Sequence, residues 1–116
     1  MRFVALTLVS LVAATTPAMA QDDRVATIQI SQGAYQDAEA RLVEALRAEP
    51  NQPELMINLA AVYARTGRED AARSLYTRVL SQSDVLMDLA SGRTAGSHMI
   101  ATSGLHRLQP VQFSAR

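Results

Sequence analysis

The chain has 116 residues, enough for one small domain, and its 48% hydrophobic and 19% charged residues are typical of a globular protein. Eleven arginines balance eleven acidic residues without a block of like charge, which argues against nucleic acid or an anionic membrane surface as the main partner. The absence of cysteine excludes disulfides, thiolate metal sites and cysteine nucleophiles.

Residues 1–20 have the pattern of a secretory signal peptide. Arg2 precedes an apolar run at 3–14, which is shorter than the ~20 residues of a membrane-spanning helix. The small-x-small sequence Ala-Met-Ala at 18–20 follows, as signal peptidase requires. We therefore expect a mature chain that begins at Gln21, has no membrane span after cleavage, and lies in a bacterial periplasm.

Two helical segments are predicted next, separated by Gly33. The first is a short helix from Gln21 to Gln32 with a weak apolar face. Two acidic residues near its N-terminus suit the helix dipole. The second runs from about Gln36 to Ala48 and has an apolar stripe with helical spacing. That stripe consists of Ala38, Leu42, Ala45 and Leu46.

A sharp boundary is predicted at residues 49–54. Pro50 cannot continue the preceding helix. Asn51 is a favourable N-cap, and Glu54 three residues later completes a capping-box pattern. Pro53 falls in the first turn of the next helix, where its missing N–H removes no hydrogen bond.

A helical hairpin is predicted from Asn51 to Asp84, with one apolar stripe on each side of a turn at 65–68. The stripe before the turn consists of Met56, Leu59, Ala60 and Tyr63. The stripe after the turn consists of Ala72, Leu75, Tyr76, Val79 and Leu80. The short turn implies that the two helices are antiparallel.

The two predicted helix pairs repeat each other at a fixed spacing of 34 residues. The matching residues are Gly33 with Gly67, Ala38 with Ala72, Ala45 with Val79, Leu46 with Leu80, Val25 with Leu59, and Ala26 with Ala60. Self-similarity at one period indicates a repeat architecture more strongly than either segment alone.

The second unit resembles a tetratricopeptide repeat, a helix-turn-helix unit of 34 residues. Its matching positions are Leu59, Ala60, Tyr63, Gly67, Ala72 and Tyr76. The first unit matches in part, at Ala26, Gly33, Tyr35, Ala38, Leu42, Ala45 and Pro50. The resemblance covers about residues 22–84 and implies an all-α fold of antiparallel helix-turn-helix repeats, with a partial repeat at 22–50 and a full repeat at 51–84.

The sequence departs from the repeat pattern at a few positions. In the second unit Met56 replaces a large aromatic residue, Val79 a small residue and Asp84 a proline. In the first unit Gln29 stands where the pattern has tyrosine. The small residues Ala60 and Ala72 are expected to let the helix backbones approach closely, since a larger side chain there would separate them.

The 34-residue register is lost after Ser83. In residues 84–90, Val85, Met87 and Leu89 alternate and predict an extended segment, but Leu86 breaks this pattern, and the first helix of a third repeat is the alternative. A glycine-containing loop at 91–96 follows. Ser97 is then a plausible N-cap for a helix from His98 to Leu108, in which Gly104 is unfavourable by about 1 kcal/mol relative to alanine.

Two repeats bury their faces poorly, since repeat stacks usually need three or more units. We therefore expect residues 85–108 to form a divergent C-terminal cap on a helical domain at 21–108, or else a degenerate third repeat. Self-association as a homodimer, or docking onto a partner, is the other way to cover the open end. The tail at 109–116 is expected to be ordered only if it docks.

The sequence contains no convincing catalytic, cofactor or metal site. His98 and His106 would point in different directions on a helix, and a metal would need carboxylates from elsewhere, such as Asp88. Ser97 lies outside any nucleophile-elbow motif. A small hydrolase that uses Ser97, His98 or His106 is the weakest of the functional alternatives.

The resemblance implies that the first helix of each unit lines a binding groove. In the second unit the candidate groove residues are Glu54, Ile57, Asn58, Ala61, Ala64 and Arg65. Ile57 and the alanines would form an apolar floor, while Asn58 and Arg65 could hold a peptide backbone or a carboxylate. Repeats that bind the carboxylate tails of chaperones have lysine and asparagine where Ile57 and Ala61 stand, which disfavours that ligand.

The resemblance, together with the signal peptide, predicts an exported, non-enzymatic adaptor that binds another protein or peptide in the bacterial envelope. The alternative is a structural subunit or stabiliser in a permanent homo- or hetero-complex. The sequence does not identify the partner.

Overall fold

The structure, a computed structural model, describes residues 18–89 and 91–108, with side chains from Arg24 onward. Its elements are the helices α1 (Ala18–Ser31), α2 (Tyr35–Ala48), α3 (Pro53–Arg65) and α4 (Glu69–Leu80), the strands β1 (Leu86–Asp88) and β2 (Thr94–Gly96), and the helix α5 (Ser97–Leu108). The predicted signal peptide lies outside the described residues except for 18–20, and so does the tail at 109–116. No helix in the described ranges is long and apolar enough to cross a membrane.

Two helical hairpins, α1–α2 and α3–α4, form the body of the fold and close with the same turn. Gly33 and Gly67 have φ of +77° and +80°, the left-handed conformation that glycine adopts without strain. The N–H of Ala34 donates to the carbonyl of Gln29 at 2.8 Å, and the N–H of Arg68 donates to that of Tyr63 at 2.8 Å. Both bonds satisfy free carbonyls at a helix end, as in a Schellman motif. The predicted turns are therefore confirmed.

The central helix, α3, packs against α1, α2, α4 and α5. Small residues lie where the helices approach most closely: Ala38, Ala60 and Ala72 are fully buried. The rest of the core consists of Ala26, Leu42, Ala45, Leu55, Met56, Ile57, Leu59, Val62, Leu75, Tyr76, Val79, Met87, Ala101 and Leu108. The all-α architecture of tetratricopeptide-like repeats is thus confirmed, with one small pair of strands added.

The predicted capping box at the start of α3 is wrong. Gln52, not Asn51, is the N-cap residue, and no side chain caps the helix. The loop is held from α4 and the residues that follow it: Arg78 Nη2 donates to the Pro50 carbonyl at 3.1 Å, and Gln82 Nε2 donates to the Asn51 carbonyl at 3.2 Å. Pro53 occupies the first turn, as predicted.

Strands β1 and β2 form an antiparallel hairpin in which Leu86 pairs with Gly96 and Asp88 pairs with Thr94. The extended segment is therefore confirmed, and a third-repeat helix starting at this point is wrong. Between those pairs, Met87 is buried and contributes to the core, whereas Leu86 is 79% exposed. The hairpin is anchored to the repeats by one face only.

A compact polar junction connects α4, the hairpin and α5. Asp84 Oδ1 accepts the backbone N–H of His98 at 2.9 Å and the hydroxyl of Ser97 at 3.2 Å. The Ser97 hydroxyl also accepts the N–H of Val85 at 3.0 Å. Ser97 is therefore the first residue of α5 and not its cap, since the carboxylate of Asp84 caps the helix from a distant point in the chain. The hydrogen bond from the His98 N–H holds the pKa of Asp84 below its usual value. Desolvation of the carboxylate raises this pKa, and the hydrogen bond from the Ser97 hydroxyl lowers it further.

Helix α5 packs mainly on α4 and less extensively on α3. In the same way, α3 packs mainly on α2 and less extensively on α1 among the helices before it. Helix α5 thus takes the place of the first helix of a third unit, delayed in the sequence by the hairpin. Tyr76 is 5% exposed, and burial raises the pKa of its hydroxyl. Its ring lies against Gly104, where a Cβ atom would be 2.6 and 2.7 Å from the two Cε atoms. Gly104 is therefore required by packing, which outweighs its low helix propensity.

A polar cluster that the sequence analysis missed joins the two units. The Arg68 guanidinium, in the α3–α4 turn, binds both carboxylate oxygens of Glu39 on α2, with Nη2 2.9 Å from Oε2. It also donates to the Thr66 hydroxyl at 3.2 Å and lies 4.4 Å from the centre of the Tyr63 ring. The hydrogen bond from Arg68 holds the pKa of Glu39 below its ordinary value of 4.5.

We expect Gly104→Ala to destabilise the fold by about 1–3 kcal/mol, because the added methyl group displaces the buried Tyr76 ring. Urea unfolding monitored by circular dichroism measures this change. Thr102→Ala, at an exposed position of the same helix, is the matched control and is expected to change stability little. A gain of stability in Gly104→Ala, as helix propensity alone predicts, would contradict the packing argument.

We expect Glu39→Gln to lower the melting temperature at pH 7. The pKa of Glu39 is lower in the folded state than in the unfolded state. The ionised carboxylate therefore stabilises the fold at pH values above the pKa of the unfolded state, and this stabilisation is lost as the pH falls through the pKa of the folded state. The difference between variant and wild type is therefore expected to close below about pH 4.5, the ordinary value.

Glu44→Gln is the matched control for this prediction. It removes an ion pair with Arg47 whose side chains are 76% and 73% exposed, so thermal melting is expected to change little. Equal effects of the two substitutions, or a difference that persists at low pH, would show that the Glu39–Arg68 pair does not stabilise the contact between the units.

Candidate functional site

The six predicted groove residues lie along one side of α3, at the three- and four-residue spacing of a helical face. Five of them are partly accessible: Glu54, Asn58, Ala61 and Ala64 are half-buried, and Arg65 is exposed. Ile57 is only 7% exposed and belongs to the core. The accessible apolar surface on this side of α3 is therefore made by the two alanines, with Ile57 packed beneath.

The polar residues of this surface differ in how they are held. Glu54 and Asn58 each have an interaction partner within the chain. Arg65 Nη1 lies 3.4 Å from the carbonyl of Ala61, one turn earlier on the same helix, a long hydrogen bond. The Arg65 guanidinium therefore lies along the surface that the alanines form.

A second arginine, Arg107, acts with Arg65 on the buried Tyr76 hydroxyl, and the sequence analysis missed it. Burial raises the pKa of the Tyr76 hydroxyl, and the positive charges of Arg107 and Arg65 oppose that rise. Both guanidinium groups are therefore within electrostatic range of the same hydroxyl. Arg107 is exposed in the last turn of α5, so the ends of α3 and α5 together carry two positive charges. No sequence spacing indicates this proximity, because it depends on the hairpin that precedes α5.

The 34-residue period identifies the equivalent surface on α1. Arg24, Thr27, Ile30 and Ser31 correspond to Asn58, Ala61, Ala64 and Arg65. Arg24 and Ser31 are exposed, and Thr27 and Ile30 are half-buried. We call the accessible side of α1 and α3, together with Arg107 of α5, the groove surface.

An open depression of about 560 Å³ lies beside α2. It is lined by Gln29, Asp37, Ala40, Arg41, Glu44, Ala45 and Ala48. In the second unit, the equivalent positions of Glu44 and Ala48 are Arg78 and Gln82, which hold the loop between the units. Gln29 replaces the tyrosine of the repeat pattern here, and its Oε1 is buried with no hydrogen-bond partner in the described residues.

Two residues of the hydrolase hypothesis, Ser97 and His98, are held in hydrogen bonds within the fold. Ser97 is fully buried and its hydroxyl is bonded to Asp84 and Val85. His98 Nε2 lies 2.6 Å from the Gln82 carbonyl, to which it donates. These side chains connect the hairpin to α5. In the part of the chain that the structure describes, no three histidine, aspartate or glutamate side chains are grouped so that they could hold a metal ion.

The comparisons with known proteins agree with this geometry. Residues 29–85 match the family model for the tetratricopeptide repeat. A search of curated proteins and a search of solved structures each gave no match. The matched segment covers most of the two helical hairpins and ends just before β1. Repeats of this family generally mediate protein–protein interaction, and they are typically non-catalytic. This match supports a tetratricopeptide repeat at residues 29–85.

Proposed function

We propose that this chain is an exported, non-enzymatic adaptor that binds another protein through the groove surface. The observation that carries the proposal is the open side of α3. Four neighbouring helices cover the rest of this central helix, yet Ala61, Ala64 and Arg65 remain accessible along one line. A partly open stripe on an otherwise buried helix offers a preformed, rigid surface to a partner.

The chemistry of this stripe favours an extended peptide that carries an acidic group. The side chains of Ala61 and Ala64 are short, so a peptide backbone can approach the helix closely. Arg65 and Arg107 add positive charge at one end, and arginine binds carboxylates through two parallel hydrogen bonds. A side-chain or C-terminal carboxylate at that end of the peptide satisfies both features.

Export is supported by the N-terminal sequence. Of the described helix α1 (Ala18–Ser31), cleavage after Ala20 would remove three residues. The core residue Ala26 and the half-buried Ile30 would remain in the shortened helix. The repeat body is thus compatible with the predicted mature chain, in which α1 starts at Gln21.

A second function, subunit of a permanent complex, is favoured by the apolar surface of the hairpin. Leu86 and Met99 are 79% and 67% exposed. A complex that depends on apolar burial survives high salt, whereas one that depends on Arg65 and Arg107 weakens as salt rises. Salt dependence of the complex therefore separates the two functions.

We expect a photo-crosslinking amino acid at Ala64 to give a covalent adduct with a partner in the native host. The same amino acid at Ser74, exposed on α4 of the same unit, is the matched control and is expected to give none. Arg65→Ala is expected to weaken the adduct several-fold without a change in the melting curve, since Arg65 is exposed.

Arg73→Ala removes an exposed arginine from α4 and is the control for loss of charge. An adduct from Ser74 but not from Ala64, or equal loss in Arg65→Ala and Arg73→Ala, would contradict the assignment of the groove surface.

We expect the chain recovered from the host to begin at Gln21, because Ala-Met-Ala at 18–20 forms the cleavage pattern. N-terminal sequencing and intact mass measure this directly. Ala20→Arg is expected to block processing by placing a large charged residue at the cleavage site. A chain that retains Met1 in wild-type cells would contradict export by this route.

A further inference from the structure

The exposed large apolar side chains are concentrated at the hairpin and the start of α5. Val85, Leu86, Leu89 and Met99 are 41%, 79%, 37% and 67% exposed, and Ile28 on α1 is the one other such residue in the described ranges. Leu86 pairs with Gly96, which is followed at once by α5, so Leu86 and Met99 lie at the same end of the hairpin. Apolar groups concentrated in this way mark an interaction surface.

Strand β1 also has an open edge. The Ser97 N–H donates to the Val85 carbonyl at 2.8 Å, and the Leu89 N–H donates to the Arg93 carbonyl at 2.7 Å. In an antiparallel ladder the residues between such bonded pairs point their backbone groups away from the neighbouring strand. The N–H and C=O groups of Leu86 and Asp88 therefore face away from β2, and no third strand among the described residues covers them. Such an edge readily pairs with another chain.

We propose that β1 pairs with β1 of a second copy of this chain across a two-fold axis, which makes one four-stranded antiparallel sheet. The outward backbone N–H and C=O groups of Leu86 and Asp88 can pair with a second β1 in three registers, which differ in the residue through which the two-fold axis passes. An axis through Leu86 would set Asp88 against Asp84 of the second copy, and an axis through Asp88 would set that residue against itself. An axis through Met87 avoids both like-charge pairs.

The strand is self-complementary in the register with its axis at Met87. Val85 of one copy lies opposite Leu89 of the other, so two partly exposed apolar residues cover each other. The backbone groups of Leu86 bond with those of Asp88 of the second copy. A two-stranded hairpin is marginal in water, and doubling the sheet provides the missing strands. This self-complementarity favours a second copy over an unrelated strand.

The dimer surface is separate from the groove surface of the proposed adaptor. Val85, Leu86 and Leu89 belong to the hairpin, whereas Ala64 and Arg65 lie on α3. Failure of the dimer leaves the crosslinks from Ala64 unaffected, and failure of those crosslinks leaves the dimer unaffected.

A disulfide between engineered cysteines tests the register, because the natural chain has no cysteine. In the double variant Val85→Cys with Leu89→Cys, the cysteine at position 85 of one copy faces the cysteine at position 89 of the other. Their Cα atoms are about 4.5 Å apart, which a disulfide can span. Mild oxidation is expected to convert the double variant to a covalent dimer. Each single variant is expected to stay uncrosslinked, because its two cysteines are about 14 Å apart along the strands.

Sedimentation of the purified chain tests the association itself. We expect a dimer at about 100 µM, a concentration at which even a weak, micromolar interface is occupied. Val85→Lys places a charge against the apolar Leu89 of the second copy and is expected to weaken association at least tenfold. Ile28→Lys changes the one exposed large apolar residue outside the hairpin patch and is the matched control, expected to remain a dimer.

Three results would overturn the proposal: a monomeric chain at this concentration, a dimer that Val85→Lys leaves intact, or equal crosslinking of the single and double cysteine variants. If the chain is a monomer but dimerises when residues 109–116 are removed, that segment covers the edge, and the second copy does not. Thermal melting of each variant shows that it is folded.

Discussion

The fold depends on close approach between helices at positions that have little or no side chain. Ala38, Ala60 and Ala72 are fully buried, and Gly104 lies directly against the ring of Tyr76. A larger residue at any of these positions would move one helix away from the next and open the core. Because α3 lies among four other helices, a change in spacing at one contact is transmitted to the groove surface. Packing of small residues thus sets both the stability of the stack and the shape of its open side.

Polar contacts fix the order and angle of the units that this packing brings together. Arg68 bridges the turn of the second unit to Glu39 of the first, and Arg78 and Gln82 hold the carbonyls of the loop between the units. At the other end, Asp84 caps α5 through the N–H of His98 and so fixes the hairpin against the second unit. Helix α5 then exposes Thr102, His106 and Arg107, polar residues of the kind that the end of a repeat stack needs. The exposed large apolar residues are concentrated in the hairpin and at Met99, near the start of α5.

Local patterns in the sequence predicted the helices and turns well, because those features depend on neighbouring residues. The paired glycines at 33 and 67 indicated the turns, and α2 begins within one residue of the expected position. Contacts between distant residues were not predictable in this way. The predicted capping box failed because the N-cap falls on Gln52, one residue after Asn51, and no local pattern reveals the bonds from Arg78 and Gln82 to the loop carbonyls. Glu39 and Arg68 are 29 residues apart, and Gly104 appeared unfavourable until its contact with Tyr76 was known. The groove residues on α3 followed from the resemblance, but Arg107 depends on where the hairpin places α5.

The central claim is that the open side of α3 binds a protein. Hydrogen exchange of backbone amides, measured with and without the partner recovered by crosslinking, tests this claim most directly. We predict that the partner slows exchange across Pro53–Arg65, at the C-terminal end of α5 and along α1, with little change in α2 and α4. Slower exchange confined to α2 and α4, with none in α3, would contradict it.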